Sequence, residues 1–183
     1  LSALIDESRE AMYTQRLTRH RPLRDEKVVA GWNGLMISAY ARAAQAFDEP
    51  AYAVKAQEAA DFILSHMRID GRLRRTYTSG QAKNSAMIED YAFIIAGLID
   101  LFEATGEPRW LREAIALDQV VADHYEVADS GAWYRSADDG EVLLARAVPD
   151  SDGAEPTGAS VHVLNLYRLS ELTTQDTYRK RAE

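Results

Sequence analysis

The chain has no cysteine among its 183 residues. That excludes a disulfide, a thiolate metal site and a thiol nucleophile. Long apolar runs are missing too. None approaches the roughly 18 residues needed to cross a bilayer, and no signal-peptide pattern stands at Leu1. Basic residues are the minority charge, 21 Lys and Arg against 29 Asp and Glu, for a formal charge of −8. A broad nucleic-acid interface needs a basic face, so none is expected. The four histidines, His20, His66, His124 and His162, show no HxxH or HExxH spacing. Neither a metal site nor a cofactor is therefore expected. His66 and His124 fall near helix ends, where they offset the dipole, and only His162 lies on an inner helix near the site rim. With 46% hydrophobic and 27% charged residues the composition is that of a folded globular chain. The expectation is one domain over residues 1–183, cytoplasmic, with no membrane contact.

What the chain does have is a repeat. Three times an apolar segment runs into a short polar turn and then an aromatic: residues 48–52 (DEPAY), 106–110 (GEPRW) and 174–178 (TQDTY). Such self-similarity marks a repeated supersecondary unit. Residues 34–47 hold only the polar side chains Ser38, Arg42 and Gln45, and residues 91–104 only Asp100 and Glu103. Both read as helices buried on most sides. The windows after the turns, 52–65 and 109–122, hold five polar residues each and read as outer helices with one buried face. Pro50 and Pro108 stand where a first-turn proline starts a helix. The third inner segment, 159–172, is less sharply apolar.

The long stretches between hairpins carry strand-like pieces at 72–78 and 133–136, with 141–145 as a partner for the second across Asp138-Asp139-Gly140. The predicted fold class is all-α: repeated helical hairpins forming part of an (α/α)6-type toroid, with short β-hairpins in the long loops. A flat right-handed solenoid is the alternative. Short turns then lie on one rim. Long loops and inner-helix N-termini share the other, where a pocket belongs.

Three clusters fall on that rim. In the first, Asp25 and Lys27 precede Trp32 and Asn33. Trp32 suits stacking on a sugar ring and Asn33 a hydroxyl; alternatively the tryptophan packs under its loop and the asparagine caps a helix. In the second, Glu89, Asp90 and Tyr91 open an inner helix. One carboxyl facing inward gains a raised pKa and acid–base competence, or both simply complement the helix dipole. In the third, Asp152, Glu155, Thr157 and Ser160 form a polar loop ending at a helix start. The basic run 179–181 reads as a solvated helix face.

The stretches 24–43 (RDEKVVAGWNGLMISAYARA), 87–111 (MIEDYAFIIAGLIDLFEATGEPRWL) and 152–173 (DGAEPTGASVHVLNLYRLSELT) resemble the helical C-terminal region of a thioredoxin-like family named for a spermatogenesis-associated member. Residues 20–178 carry most of the match, and the family's thioredoxin-like domain is not among them. The resemblance implies a toroid like those of six-hairpin glycosidases and N-acylglucosamine 2-epimerases, and with it carbohydrate chemistry. Ala159 stands where the family has asparagine, and Thr157 where it has serine. The related epimerases use paired histidines, which this rim does not supply.

On this reading Glu89, Asp90 and Asp152 are the candidate catalytic residues. Asp25, Lys27, Trp32, Asn33, Tyr91, Thr157 and Ser160 are the candidate substrate-binding residues. In a glycosidase one carboxyl near Glu89 and Asp90 is the acid, and Asp25 or Asp152 supplies the second. The other reading is a non-catalytic helical-repeat module that binds a sugar, peptide or protein through the same rim. The chain also reads as a fragment or a short form, so a second copy or a missing domain is expected over its exposed helix flanks.

Overall fold

Each inner helix is ended by a single residue in the left-handed conformation. Asp48, Gly106 and Thr174 (φ 51°, 69° and 57°) follow α2 (Ala30–Phe47), α4 (Ile88–Thr105) and α6 (Gly158–Thr173). This geometry stops a helix and reverses the chain within a few residues. Outer helices then restart at once. Pro50 and Pro108 occupy the first turn of α3 (Pro50–His66) and α5 (Pro108–His124), and Asp176 opens α7 (Asp176–Ala182). A further helix, α1 (Ser2–Leu17), precedes them.

These elements come from a computed structural model that describes residues 1–128, 130–140 and 144–183. The inner helices lie side by side in the order α2, α4, α6, and each carries its own outer helix, so the chain is a two-layered arc. Helix α4 is the centre of the core: Tyr91, Ile95, Leu98 and Ile99 have no exposed surface. The sequence predicts equal burial for α2, and there the structure differs. Met36 and Phe47 are exposed, because α2 has an inner neighbour on one side only among the described residues. Residues 1–27 are exposed throughout, α1 included.

Backbone contact between α2 and α4 is unusually close. A Cβ on Gly34 would lie 2.5 Å from the carbonyl carbon of Phe93, and one on Gly97 would lie 2.8 Å from the Gly34 oxygen. Lower down, the buried Asp100 joins all three inner helices. It accepts hydrogen bonds from Ser38 and from Arg42 Nε (3.0 Å) on α2 and Arg168 Nη2 (2.6 Å) on α6. Asp118 on α5 is likewise buried. Arg181 reaches it from α7 at 2.7 Å, so this end of the 179–181 run points inward rather than into solvent.

The excursion between α3 and α4 folds as strands β2 (Arg68–Ile69), β3 (Arg72–Thr78) and β4 (Gln81–Ser85). β3 pairs antiparallel with both, and with β1 (Val28–Val29) in the register Val28–Tyr77. Asp70-Gly71 and Ser79-Gly80 close these hairpins with positive φ at both residues. After α5 the chain forms the short hairpin β5 (Glu126–Val127) and β6 (Ala132–Trp133). The expected strand at 133–136 is thus trimmed to its first residue. Its proposed partner, 141–145, begins in residues 141–143, which lie outside the described residues.

Candidate functional site

The N-termini of α2, α4 and α6 meet on the rim opposite the short turns. Gly158, the first residue of α6, sits so close to α4 that a Cβ there would lie 2.6 Å from the Glu89 nitrogen. Asp90 binds two of the helix starts together. Its Oδ1 accepts the Gly31 N–H at 3.0 Å, and its Oδ2 accepts the Met87 N–H at 2.9 Å and Arg75 Nη1 at 3.0 Å. Burial pushes the Asp90 carboxyl above its usual range, against the pull of the Met87 N–H and the Arg75 charge. It is 1% exposed, so it holds the architecture from behind and does not itself reach a ligand.

Glu89 faces the other way. It lines a cleft of about 580 Å³ with Trp32, Arg135, Glu155, Thr157 and neighbouring loop residues. That volume is within the range that takes a small organic ligand. Glu89 Oε1 accepts from Arg135 Nη2 at 2.8 Å and Nε at 3.0 Å, with Arg75 Nη1 at 3.5 Å. Both acids of the pair therefore contact the same Arg75 nitrogen. The Glu89 hydrogen bond raises the pKa of Arg135, and Glu155 adds to the negative field on it. Trp32 is 63% exposed, and its indole forms an apolar wall beside this charged group.

Asp152 accepts the Thr157 N–H at 2.7 Å and the Ser160 hydroxyl at 3.3 Å, and the Thr157 bond holds its carboxyl below the usual range. It fixes the loop, while its neighbours Ser151 and Gly153 line the cleft. Thr157 caps α6 by accepting the Ser160 N–H at 3.0 Å and also faces the cleft. Asn33 donates to the Val29 carbonyl at 2.9 Å, which holds β1 to the first turn of α2. Asp25 and Lys27 pair with each other at 3.2 Å on the surface and do not line the cleft. Tyr91 is fully buried, its hydroxyl accepting the Leu73 N–H at 2.9 Å. Glu155, from the third cluster, lines the cleft, and Arg75 and Arg135 join the site without having been singled out for it. No sequence motif marks the arginines, because a strand and a loop bring them there.

His162 lies in the second turn of the inner helix α6, as expected, and is fully buried. It lies 3.4 Å from Asp118 and edge-on to Trp133 (ring centroids 5.1 Å apart), with neither ring nitrogen hydrogen-bonded among the described residues. Burial, helped by the Arg181 charge, lowers its pKa from the usual 6.5 to about 3. Between those values the unfolded chain binds the proton and the folded chain does not, so stability falls as pH drops below 6.5. Asp118 also faces the ring and has a raised pKa, chiefly from burial, so its effect runs in the opposite sense. Going from pH 7 to pH 5, His162 is expected to remove about 2 kcal/mol. Urea melts of the wild type and His162→Phe at both pH values isolate this contribution. The idea fails if both proteins lose the same stability.

His124, Asp138 and Asp139 bring potential metal-ligand atoms within 4.8 Å of one another. They satisfy each other and Arg72 instead: His124 Nδ1 lies 2.8 Å from Asp138, and the Arg72 fork holds Asp139 at 2.5 and 2.9 Å. Among the described residues no helix is long and apolar enough to cross a membrane.

No family model matches the chain. Human spermatogenesis-associated protein 20 is 36% identical over 181 residues, covering 93% of this chain and 23% of that protein. An uncharacterised protein of Caenorhabditis elegans is 32% identical over 186 residues, covering 97% and 25%. The chain thus spans about a quarter of the length of the curated relatives it matches. Among solved structures, a GH76 alpha-mannanase from Bacteroides thetaiotaomicron superposes with TM-score 0.69 at 18% identity, and a cellobiose 2-epimerase from Bacillus thermoamylovorans with 0.72 at 13%. Each alignment covers 88% of this chain and 44% of the neighbour. At that identity the likeness is one of fold, and the fold is an arc of an (α/α)6-type toroid.

Proposed function

We propose that this chain is a toroid arc whose inner-helix rim binds and processes an oligosaccharide, with Glu89 as the carboxylate that works on it. The observation that carries this reading is the placing of Trp32 and Glu89 around one cleft. A flat apolar indole suits the less polar face of a pyranose ring, and a neighbouring carboxylate can accept or donate protons at its hydroxyl or glycosidic oxygens. Glu155, on the same cleft, supplies the second carboxyl that glycoside chemistry uses. Asp90 is a positioning residue, since its three hydrogen bonds fix the first turn of α4 from which Glu89 projects. The toroid neighbours, by their names, act on mannan and on cellobiose, so mannose- and glucose-containing oligosaccharides are the substrates to try. The ligand is then a small sugar, and the open flank of α2 takes a second copy or a further domain.

A second reading follows from the Glu89–Arg135 pair. A carboxylate held on two nitrogens of one guanidinium is a good hydroxyl acceptor but must break that pair before it moves a proton. On that reading the rim binds a sugar without turning it over. Titration with mannotriose and cellobiose, followed by product analysis, separates the two. Binding with product supports the first reading, binding alone the second, and no binding at all removes both.

Trp32→Ala tests the stacking wall. The indole is mostly exposed, so the melting temperature should barely change. Sugar affinity should fall about tenfold, the loss of one aromatic stack worth about 1.5 kcal/mol. An unchanged dissociation constant excludes Trp32 from the site.

A further inference from the structure

A dense basic run on this acidic chain lies outside the rim cleft. Residues 16–24 (RLTRHRPLR) hold four arginines and a histidine with no acid among them. They curl with Tyr13 around a second cleft of about 630 Å³ at the end of α1. Arg24 is neutralised by Glu26, 2.6 Å away. Arg16, Arg19 and Arg21 line the cleft with no carboxylate partner among the described residues. Their side chains are not engaged in packing, since no residue from 1 to 27 is buried. Three unpaired guanidinium groups in one concave stretch repel one another, and an anion relieves that repulsion.

We propose that this cleft is a binding site for the phosphate group of a small phosphorylated metabolite. The planar guanidinium fork matches phosphate oxygens two at a time. His20 adds a further donor on the same wall. The walls are not uniformly polar, for Tyr13, Leu17 and Leu23 are all exposed along them. Those surfaces suit a ring or short carbon skeleton attached to the phosphate. Two larger polyanions fit less well. Nucleic acid is disfavoured because this basic cluster spans only nine residues of a chain with net charge −8. An anionic membrane is disfavoured because the preceding turns of α1 carry Asp6, Glu7 and Glu10.

The test is isothermal titration of the 183-residue chain at low salt with inorganic phosphate and with glucose 6-phosphate. Both should compete for one site, glucose 6-phosphate binding more tightly. Arg19→Ala/Arg21→Ala should weaken both by at least about tenfold, the effect of losing charge-assisted hydrogen bonds. These positions are exposed, so the double variant should keep the wild-type circular dichroism and melting curve. Arg19→Lys/Arg21→Lys should also bind more weakly, because it keeps the charge and loses the fork. In Trp32→Ala inorganic phosphate should still displace glucose 6-phosphate as in the wild type, which separates this site from any contact that the sugar ring makes in the rim cleft. The proposal is overturned if neither phosphate compound binds or if the lysine variant binds like the wild type. Tighter binding to single-stranded DNA or to phosphatidylglycerol vesicles than to glucose 6-phosphate also overturns it.

Discussion

Gly34→Ala is expected to destabilise the protein by about 3 kcal/mol, at the upper end of overpacking substitutions. On helix propensity alone the change should help, since alanine is favoured over glycine by about 1 kcal/mol in a helix interior. Packing decides the sign. The new Cβ would lie 2.5 Å from the Phe93 carbonyl carbon and 2.6 Å from the Ile94 nitrogen. These are backbone atoms of the central helix, so no rotamer change relieves the contact. α2 and α4 must separate along their length, which loosens Ile37 against Gly97 and strains the Asp100 bonds to Ser38 and Arg42. Gly140→Ala is the control. Among the described residues its nearest atom is 3.6 Å away, so its effect should stay within about 0.5 kcal/mol. Urea melts at one pH measure both. A Gly34→Ala midpoint equal to or above that of the wild type would mean that the two helices pack less closely than described.

How much of this is legible in the sequence depends on how far apart the interacting residues are along the chain. The hairpin order is legible because its signals are local: Pro50 and Pro108 at helix starts, and the contrast between residues 91–104 and 109–122. The rim follows by topology, and the three clusters do each contribute to one cleft, through Trp32, Glu89 and Thr157. The roles of individual residues are not legible. Asp90 looks in sequence like a twin of Glu89, yet it meets Gly31 across 59 positions and faces inward. One residue of helix phase, about 100°, turns Glu89 towards the cleft and Asp90 towards the Gly31 backbone, with Arg75 between them. Arg75 and Arg135 lie in segments whose only visible property is strand character. Their places depend on β3 pairing with β1 and on the path after β6. Arg181 departs from expectation for a similar reason. A basic run at a helix end is usually solvated, and only tertiary structure puts the buried Asp118 opposite it.

Glu89→Gln is expected to lower turnover of a responsive oligosaccharide by about 10²–10⁴-fold, the range for loss of a positioned acid–base group. Stability should fall by about 1–3 kcal/mol, because the Glu89 side chain is only 12% exposed and its bonds to arginine are charge-assisted. The amide keeps the shape of the side chain and one acceptor oxygen. Arg75 still has Asp90 at 3.0 Å, and Arg135 is half exposed and can turn towards water. Binding of the same sugar should stay within a few-fold, because Trp32 and the 149–158 loop are untouched. Asp90→Asn should show the reverse pattern. It breaks the bonds that place α2 against α4, so it should lower stability first and turnover only through the displacement of Glu89. Measuring melts, dissociation constants and product formation on both variants therefore assigns the roles separately. If Glu89→Gln turns over substrate as fast as the wild type, Glu89 is not the working carboxylate and Glu155 becomes the one to replace. If the wild type binds sugar without product and Glu89→Gln binds less well, the carboxylate is a hydroxyl acceptor and the rim is a binding site. The two outcomes differ in what Arg135 must do, since only turnover requires it to leave Glu89 during the reaction.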